Sequence, residues 1–220
     1  MAKEDKGPYL QPSALCDFDR CPAIREKSRE LSSVCKSNEE KFRRISSFVK
    51  ELPYGLDDWD VPASLTLEKG WGMCSGKANL LVAMLRCCGI PSRYRIYAIE
   101  AEHRLWEKIA ALQDMGSTLG DSPMAQDHVD CEAWLGQWVA CDPSRDTPLE
   151  RGLLAMGIPL ERKAMVDADG QVPYLRLASF DEWARERQAR RRFREGRSET
   201  FGRINEVLRQ IREAGGETSG

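Results

Sequence analysis

Gly70-Trp71-Gly72-Met73-Cys74-Ser75-Gly76-Lys77-Ala78-Asn79-Leu80-Leu81-Val82-Ala83-Met84-Leu85 is the stretch on which the reading of this chain turns. A glycine-rich approach delivers a cysteine to the first turn of a strongly apolar helix. Gly89 is a natural C′ residue for that helix, and Pro91 beyond it cannot continue it. Free backbone N–H groups and the helix dipole at an N-terminus stabilise a thiolate, which is the reactive form of cysteine. Cys74 is therefore a candidate nucleophile, provided that a base and an orienting group lie elsewhere in the chain.

Upstream, Pro22 opens a helix running to about Cys35, preceded by an extended arm. Ser37 followed by Glu40 is a capping box, and Phe42, Ile45, Phe48 and Val49 carry an apolar stripe to about Leu52, where Pro53 stops it. The segment from Pro53 to Pro62, with Tyr54, Trp59 and three acids, reads as a loop, either a structural connection or the rim of a cleft. Ser64 to Lys69 forms a short helix before the glycine-rich turn.

Downstream, Arg93 to Ile99 has the alternation and residue types of a strand. Leu105 to Met115 reads as a helix, and Gly116 to Pro123 as a loop that either gates access or is plain disordered surface. Two short strands follow, about His128–Trp134 and Trp138–Asp142, around Leu135-Gly136-Gln137. Pairing them symmetrically about residue 135 sets His128 directly opposite Asp142, with Cβ atoms about 4.5–5.5 Å apart. A slip of one residue turns one of the two to the other face, so the inference rests on register. A weak strand near Val172–Leu177 and arginine-rich helices over 179–213 complete the chain. Acids interrupt Arg190-Arg191-Arg192 and its surroundings, which predicts a solvated face rather than a nucleic-acid contact.

Composition narrows the classes. The 220 residues are 41% hydrophobic and 31% charged, with a net charge of -2 that argues against a generic nucleic-acid binder. There is no apolar run of the length a membrane span needs, and the first six residues lack a signal-peptide core. A cytoplasmic location is the expectation. The eight cysteines do not fall into the paired spacing of zinc ligands, so no metal and no cofactor is expected.

The chain has only two histidines, His103 and His128. His128 has Asp142 as a strand partner able to hold its tautomer, and His103 has none comparable. The roles that follow are Cys74 as nucleophile, His128 as base and then acid, and Asp142 as orienting group. The backbone N–H of Cys74 is a natural oxyanion donor, and Tyr54 or Trp59 is the candidate second one.

These residues in this order resemble the transglutaminase-like superfamily. Gly72-Met73-Cys74 opens the helix, Gly89-Ile90-Pro91-Ser92-Arg93-Tyr94 ends it and starts a strand, and His128 and Asp142-Pro143-Ser144 follow. The upstream Phe48-Val49 helix and Leu52-Pro53-Tyr54 also match, so the likeness covers about residues 38–146. It implies an α+β, papain-like transglutaminase core, with the nucleophile helix packed on an antiparallel sheet carrying His and Asp. It also implies acyl transfer through a thioester. The family often has an aromatic residue two positions after the histidine, where this chain has Asp130. Asp130 and Glu132 share the face of His128 on the strand, which suits a cationic substrate or an exposed strand end. Calcium-loop spacing is absent.

The expected organisation is an N-terminal arm and helix over 1–36, a catalytic core over 37–178, and a helical C-terminal extension over 179–220. The expected substrate is an amide, peptide or acyl thioester, with Trp71 and Asp130 joining Tyr54 and Trp59 as substrate-side candidates. Hydrolysis of an amide or peptide bond ranks first. An amide-forming acyltransferase, of transglutaminase type or drawing on carrier-bound thioesters, is the alternative. A non-catalytic interaction module that keeps the fold is the third reading.

Overall fold

The computed structural model describes residues 5–100, 125–190 and 197–216. After a 3₁₀ turn at Gly7–Leu10 come helices α1 (Pro22–Ser32), α2 (Asn38–Glu51), α3 (Ala63–Lys69) and α4 (Cys74–Cys87). Strands β1 (Ser92–Glu100), β2 (Ala125–Trp134) and β3 (Trp138–Cys141) follow, then helix α5 (Thr147–Ala155), strand β4 (Leu175–Leu177), and helices α6 (Asp181–Arg190) and α7 (Arg197–Gly216). The expected helix at 105–115, the loop at 116–123, His103, Arg191 and Arg192 lie outside the described residues. Among the described residues no helix is long and apolar enough to cross a membrane.

Local signals set most boundaries. Pro22 sits in the first turn of α1. Ser37 Oγ accepts from the Glu40 N–H at 3.2 Å, and the Glu40 carboxylate answers by accepting from the Lys36 N–H at 2.6 Å. The capping box is present, with its return bond one residue earlier than the usual pattern. Helix α4 is apolar nearly all round, and every residue from Cys74 to Arg86 is buried, as expected of a helix covered on all sides. Gly89 takes a left-handed φ of 76° just past its end.

The strands form one antiparallel sheet in the order β3-β2-β1-β4. Tyr94, Ile96, Val129, Cys131 and Ala133 share one apolar core with α4. Because side chains alternate along a strand, the other row of the β1–β2 pair holds Arg93, Arg95 and Tyr97 opposite Glu132, Asp130 and His128. A fold that combines helices with an antiparallel sheet around a central buried helix is the α+β architecture expected from the sequence.

The β2–β3 register differs from the expected one. Trp134 pairs with Trp138 and Cys131 with Cys141, so the hairpin is centred on Gly136, which has a φ of 83°, and not on Leu135. The left-handed glycine occupies the middle of the turn because it alone carries no Cβ penalty there. Extending this register sets Asp142 across from Asp130 and two residues from His128. A displacement of two preserves the face, so the His–Asp relation survives as a diagonal.

The C-terminal region is more than a solvated face. Ile204, Val207, Leu208 and Ile211 of α7 pack with Leu149 and Leu153 of α5 in a second apolar cluster. On its outer side Arg203 pairs with Glu199, and Arg209 with Glu206 and Glu213. The N-terminal arm is tied to α6 through Asp181, which accepts from Ser13 Oγ and the Ala14 N–H, each at 2.8 Å.

Candidate active site

Cys74 is the first residue of α4, and Met73 before it offers no side-chain cap. The N–H groups of the opening turn thus have no partner within the helix. Close packing fixes this turn in place. A Cβ added at Gly76 would stand 2.8 Å from Thr66 Oγ1, and one at Gly72 would stand 3.0 Å from Thr66 Cγ2. The glycines flanking Cys74 let α3 approach the start of α4. Gly72 is also joined to the Tyr54 segment, donating to Pro53 O at 3.1 Å and accepting from the Gly55 N–H at 3.1 Å.

His128 and Asp142 meet across the hairpin diagonal. Nε2 of His128 lies 2.8 Å from Asp142 Oδ2, and the same imidazole lines one cleft with Cys74. With Nε2 engaged by Asp142, Nδ1 is the nitrogen left for the thiol. Cys74 is only 5% exposed and His128 3%. Burial works against a charged imidazole, but the Asp142 carboxylate, followed by the contact with Cys74, raises His128 to about 9. Burial would likewise raise the Asp142 carboxyl, yet the imidazole and the Arg162 guanidinium hold it well below the usual carboxylate range.

Two cations absent from the sequence-based set complete the arrangement. Arg162 donates to Asp142 Oδ2 at 2.6 Å and to Ser144 Oγ at 2.7 Å, while the Ser144 N–H donates to Asp142 Oδ1 at 2.9 Å. Both carboxylate oxygens of Asp142 are thereby oriented. Lys77, fully buried one turn after Cys74, donates to three backbone carbonyls: Lys50 at 2.9 Å, Leu52 at 2.6 Å and Ser144 at 3.0 Å. Burial pushes Lys77 down to about 7. Three acceptors, however, match the three N–H donors of the ammonium and not the two of a neutral amine, so the geometry favours the charged form. One Lys side chain thus ties the nucleophile helix to the end of α2 and to the loop after Asp142.

The substrate-side candidates separate. Tyr54 lines the cleft with Cys74 and His128. Burial, and next the charge of Cys74, keeps its phenol protonated and hence a hydrogen-bond donor. Trp59 does not reach the cleft: it is buried, edge-on to Trp183, with its backbone N–H bonded to Gln188. Trp71 lies in an adjoining hollow with Asp57, Asp58 and Phe201, under the ammonium of Lys69. Asp130 is fully buried and held by two contacts from Arg95, Nε at 2.7 Å and Nη2 at 2.5 Å. Glu132 is paired with Arg93 and Arg176. Guanidinium groups already neutralise these acids, so the attraction of a cationic substrate expected from them is corrected to a structural ion-pair network.

His128, Asp130 and Asp142 bring three potential ligand atoms within 4.8 Å of one another. Arg95 holds both oxygens of Asp130, and Arg162 shares the Asp142 oxygen that meets His128. These fixed cations stand where a metal would compete, and the donor set fits a charge network better than a metal cage.

The cleft itself has a cavity volume of about 90 Å³. Its lining includes Leu56, Leu149, Leu153, Ile204 and Leu208 on the apolar side and Arg145 and Arg162 on the polar side. Neither Arg145 nor Arg162 was marked by any local pattern, though the charged run Asp142-Pro143-Ser144-Arg145-Asp146 hinted at the first. Lys77 had a clearer signal, as the one charge in the first half of a helix whose only other charge is Arg86.

The family model described as transglutaminase-like superfamily matches residues 25–143. No curated protein matches the chain. A solved structure from Cytophaga hutchinsonii, described as a "putative cysteine protease", aligns with a TM-score of 0.48 and 17% identity, over 81% of this chain and 53% of that one. Another from Parabacteroides distasonis, described as a "putative protease", aligns with a TM-score of 0.38 and 16% identity, over 58% of this chain and 25% of that one. The chain spans about half the length of the first and a quarter of the second. With the family match covering more than half of the sequence, and with the buried helix, the antiparallel sheet and the Gly-x-Cys turn all in place, the chain belongs to the transglutaminase-like superfamily.

Proposed function

We propose that this protein is a cysteine-dependent acyl-transfer enzyme that forms a thioester on Cys74 and hydrolyses an amide or peptide bond. The observation that carries the reading is that Cys74 and His128 line one cleft, with His128 Nε2 2.8 Å from Asp142 Oδ2. His128 takes the thiol proton, Asp142 stabilises the resulting imidazolium, and the thiolate attacks the carbonyl carbon. A C–S bond forms, the carbonyl oxygen gains charge, and the backbone N–H of Cys74 and the Tyr54 phenol serve as its hydrogen-bond donors. The C–N bond then breaks as His128 returns the proton to the departing amine. Water, deprotonated by His128, cleaves the thioester and restores the thiol.

Iodoacetamide labelling near neutral pH tests the first step. Cys74 should react faster than each of the other seven cysteines, and Cys74→Ala should abolish turnover with the fold retained. Activity surviving in Cys74→Ala would rule the mechanism out. Turnover in the presence of a primary amine decides the acceptor: an amide product in place of the free acid reassigns the enzyme to acyl transfer onto amines.

A further inference from the structure

The cleft beside Cys74 is walled by aliphatic side chains that come largely from outside the matched family residues. Leu149 and Leu153 stand one turn apart on α5, and Ile204 and Leu208 one turn apart on α7, so the buried seam where the two helices pack forms the apolar floor of the cleft. Leu56 continues the wall toward Tyr54.

The position of this wall relative to Cys74 is fixed by specific contacts. A Cβ added at Gly152 of α5 would stand 1.8 Å from Ile211 O of α7, so only glycine lets the two helices approach this closely. Arg212 of α7 donates to Asp146 at 2.9 and 2.7 Å, and Asp146 also accepts from the Tyr54 N–H at 2.7 Å. Asn205 of α7 grips the backbone of Leu56, accepting from its N–H at 2.6 Å and donating to its carbonyl at 3.1 Å. The loop held in this way is the one bonded to Gly72, two residues before Cys74.

We infer that this wall is an acyl subsite, and that the group attached to the carbonyl attacked by Cys74 is aliphatic. The inference rests on the acyl-transfer reading of Cys74 proposed above. The same chemistry has two sources: a peptide with an aliphatic residue on the acyl side of the scissile amide, or a thioester of an aliphatic acid. In both, the Sγ–C bond forms, the C–N or C–S bond of the donor breaks, and the leaving group departs with the proton from His128.

N-alkylmaleimides from methyl to hexyl test the subsite, because the reactive ring is constant and only the chain varies. Labelling of Cys74 in the full chain, read by peptide mass, should accelerate by roughly fourfold per methylene until the wall is filled. A carboxyl-terminated maleimide of equal length should react more slowly than its uncharged counterpart. Leu208→Ala should flatten the dependence on chain length. Leu56→Ala, on a half-buried loop residue, should do the same should the core variant fail to fold. A flat series with rapid iodoacetamide labelling of Cys74 overturns the subsite and leaves the nucleophile standing, whereas slow iodoacetamide labelling overturns the nucleophile reading itself. Faster labelling by the carboxylate probe overturns the aliphatic assignment. An acyl adduct on Cys74 from an aliphatic N-acetylcysteamine thioester, or from an N-acyl-leucine anilide, supports the assignment and identifies the source. Adducts from neither, with a flat maleimide series, overturn it.

Discussion

His128 and Asp142 lie on a diagonal of the β2–β3 hairpin, two residues out of direct register, and their side chains close the gap at 2.8 Å. Diagonal neighbours on one face of a sheet are within reach of longer side chains, and imidazole has that reach. Asp142→Asn keeps the shape but removes the charge that favours the imidazolium. Iodoacetamide labelling of Cys74 at neutral pH should slow markedly, and substrate turnover should fall roughly 10³–10⁴-fold, as when the acid of a Ser-His-Asp triad is replaced by its amide. Turnover within tenfold of the parent protein would show that Asp142 has no such role.

The raised value of His128 makes stability depend on pH in a definite direction. Its ordinary value is 6.5 and the folded value about 9, with burial opposing the shift and the Asp142 carboxylate, then Cys74, outweighing it. The folded state therefore binds the proton more tightly than the unfolded chain. The stabilisation is fully present below pH 6.5 and is lost as pH rises through about 9. Urea midpoints between pH 6 and 10 should decline in the parent protein and decline less in His128→Gln. Equal slopes in the two proteins would contradict the assignment.

Lys77→Met keeps most of the side-chain volume and removes all three N–H donors from the carbonyls of Lys50, Leu52 and Ser144. Three buried carbonyls lose their partner at once. Denaturant unfolding should reveal a loss of about 3 kcal/mol, within the range for orphaned buried polar groups. Because Ser144 also orients Asp142 through its N–H, Cys74 labelling should slow as well. An unchanged midpoint would mean that the methionine packs without cost and that the lysine is dispensable.

Gly152→Ala tests how α7 is seated. The new Cβ would fall 1.8 Å from Ile211 O, a backbone atom that cannot swing aside, so the helices must separate. Overpacking of this kind costs about 1–3 kcal/mol. Amide hydrogen exchange should show lost protection in α7, around Val207 to Ile211, with α4 and the sheet unaffected. Full protection of α7 in the variant would show that the helix pair adapts without strain.

The central helix and the places of the strands along the chain were legible because their signals are local. A helix apolar on every side must be covered, Gly89 and Pro91 stop it, and alternation marks β1. The hairpin was legible but its centre was not. Gly136 takes the left-handed conformation, and placing the turn there moves every pair by two positions while keeping each side chain on its face. Trp59 and Asp130 show the limit of reading residue type alone. A tryptophan near a cleft loop and an acid on the histidine's strand are both consumed by neighbours, Trp183 and Arg95, that no spacing rule connects to them.

By itself the sequence determined that Cys74 starts a strongly apolar helix and that His128 and Asp142 flank one hairpin, because glycine, proline and side-chain alternation act over a few residues. Only the tertiary structure decided what surrounds them. Lys77 reaches carbonyls 25, 27 and 67 residues away, and Asn205 holds Leu56 across 149. Arg162 reaches Asp142 from an irregular segment 20 residues on. Such contacts depend on how far-apart segments pack, and packing follows from the summed fit of the whole core. The thiol and its partners were thus written in short range, and the wall and cations that shape their cleft in long range.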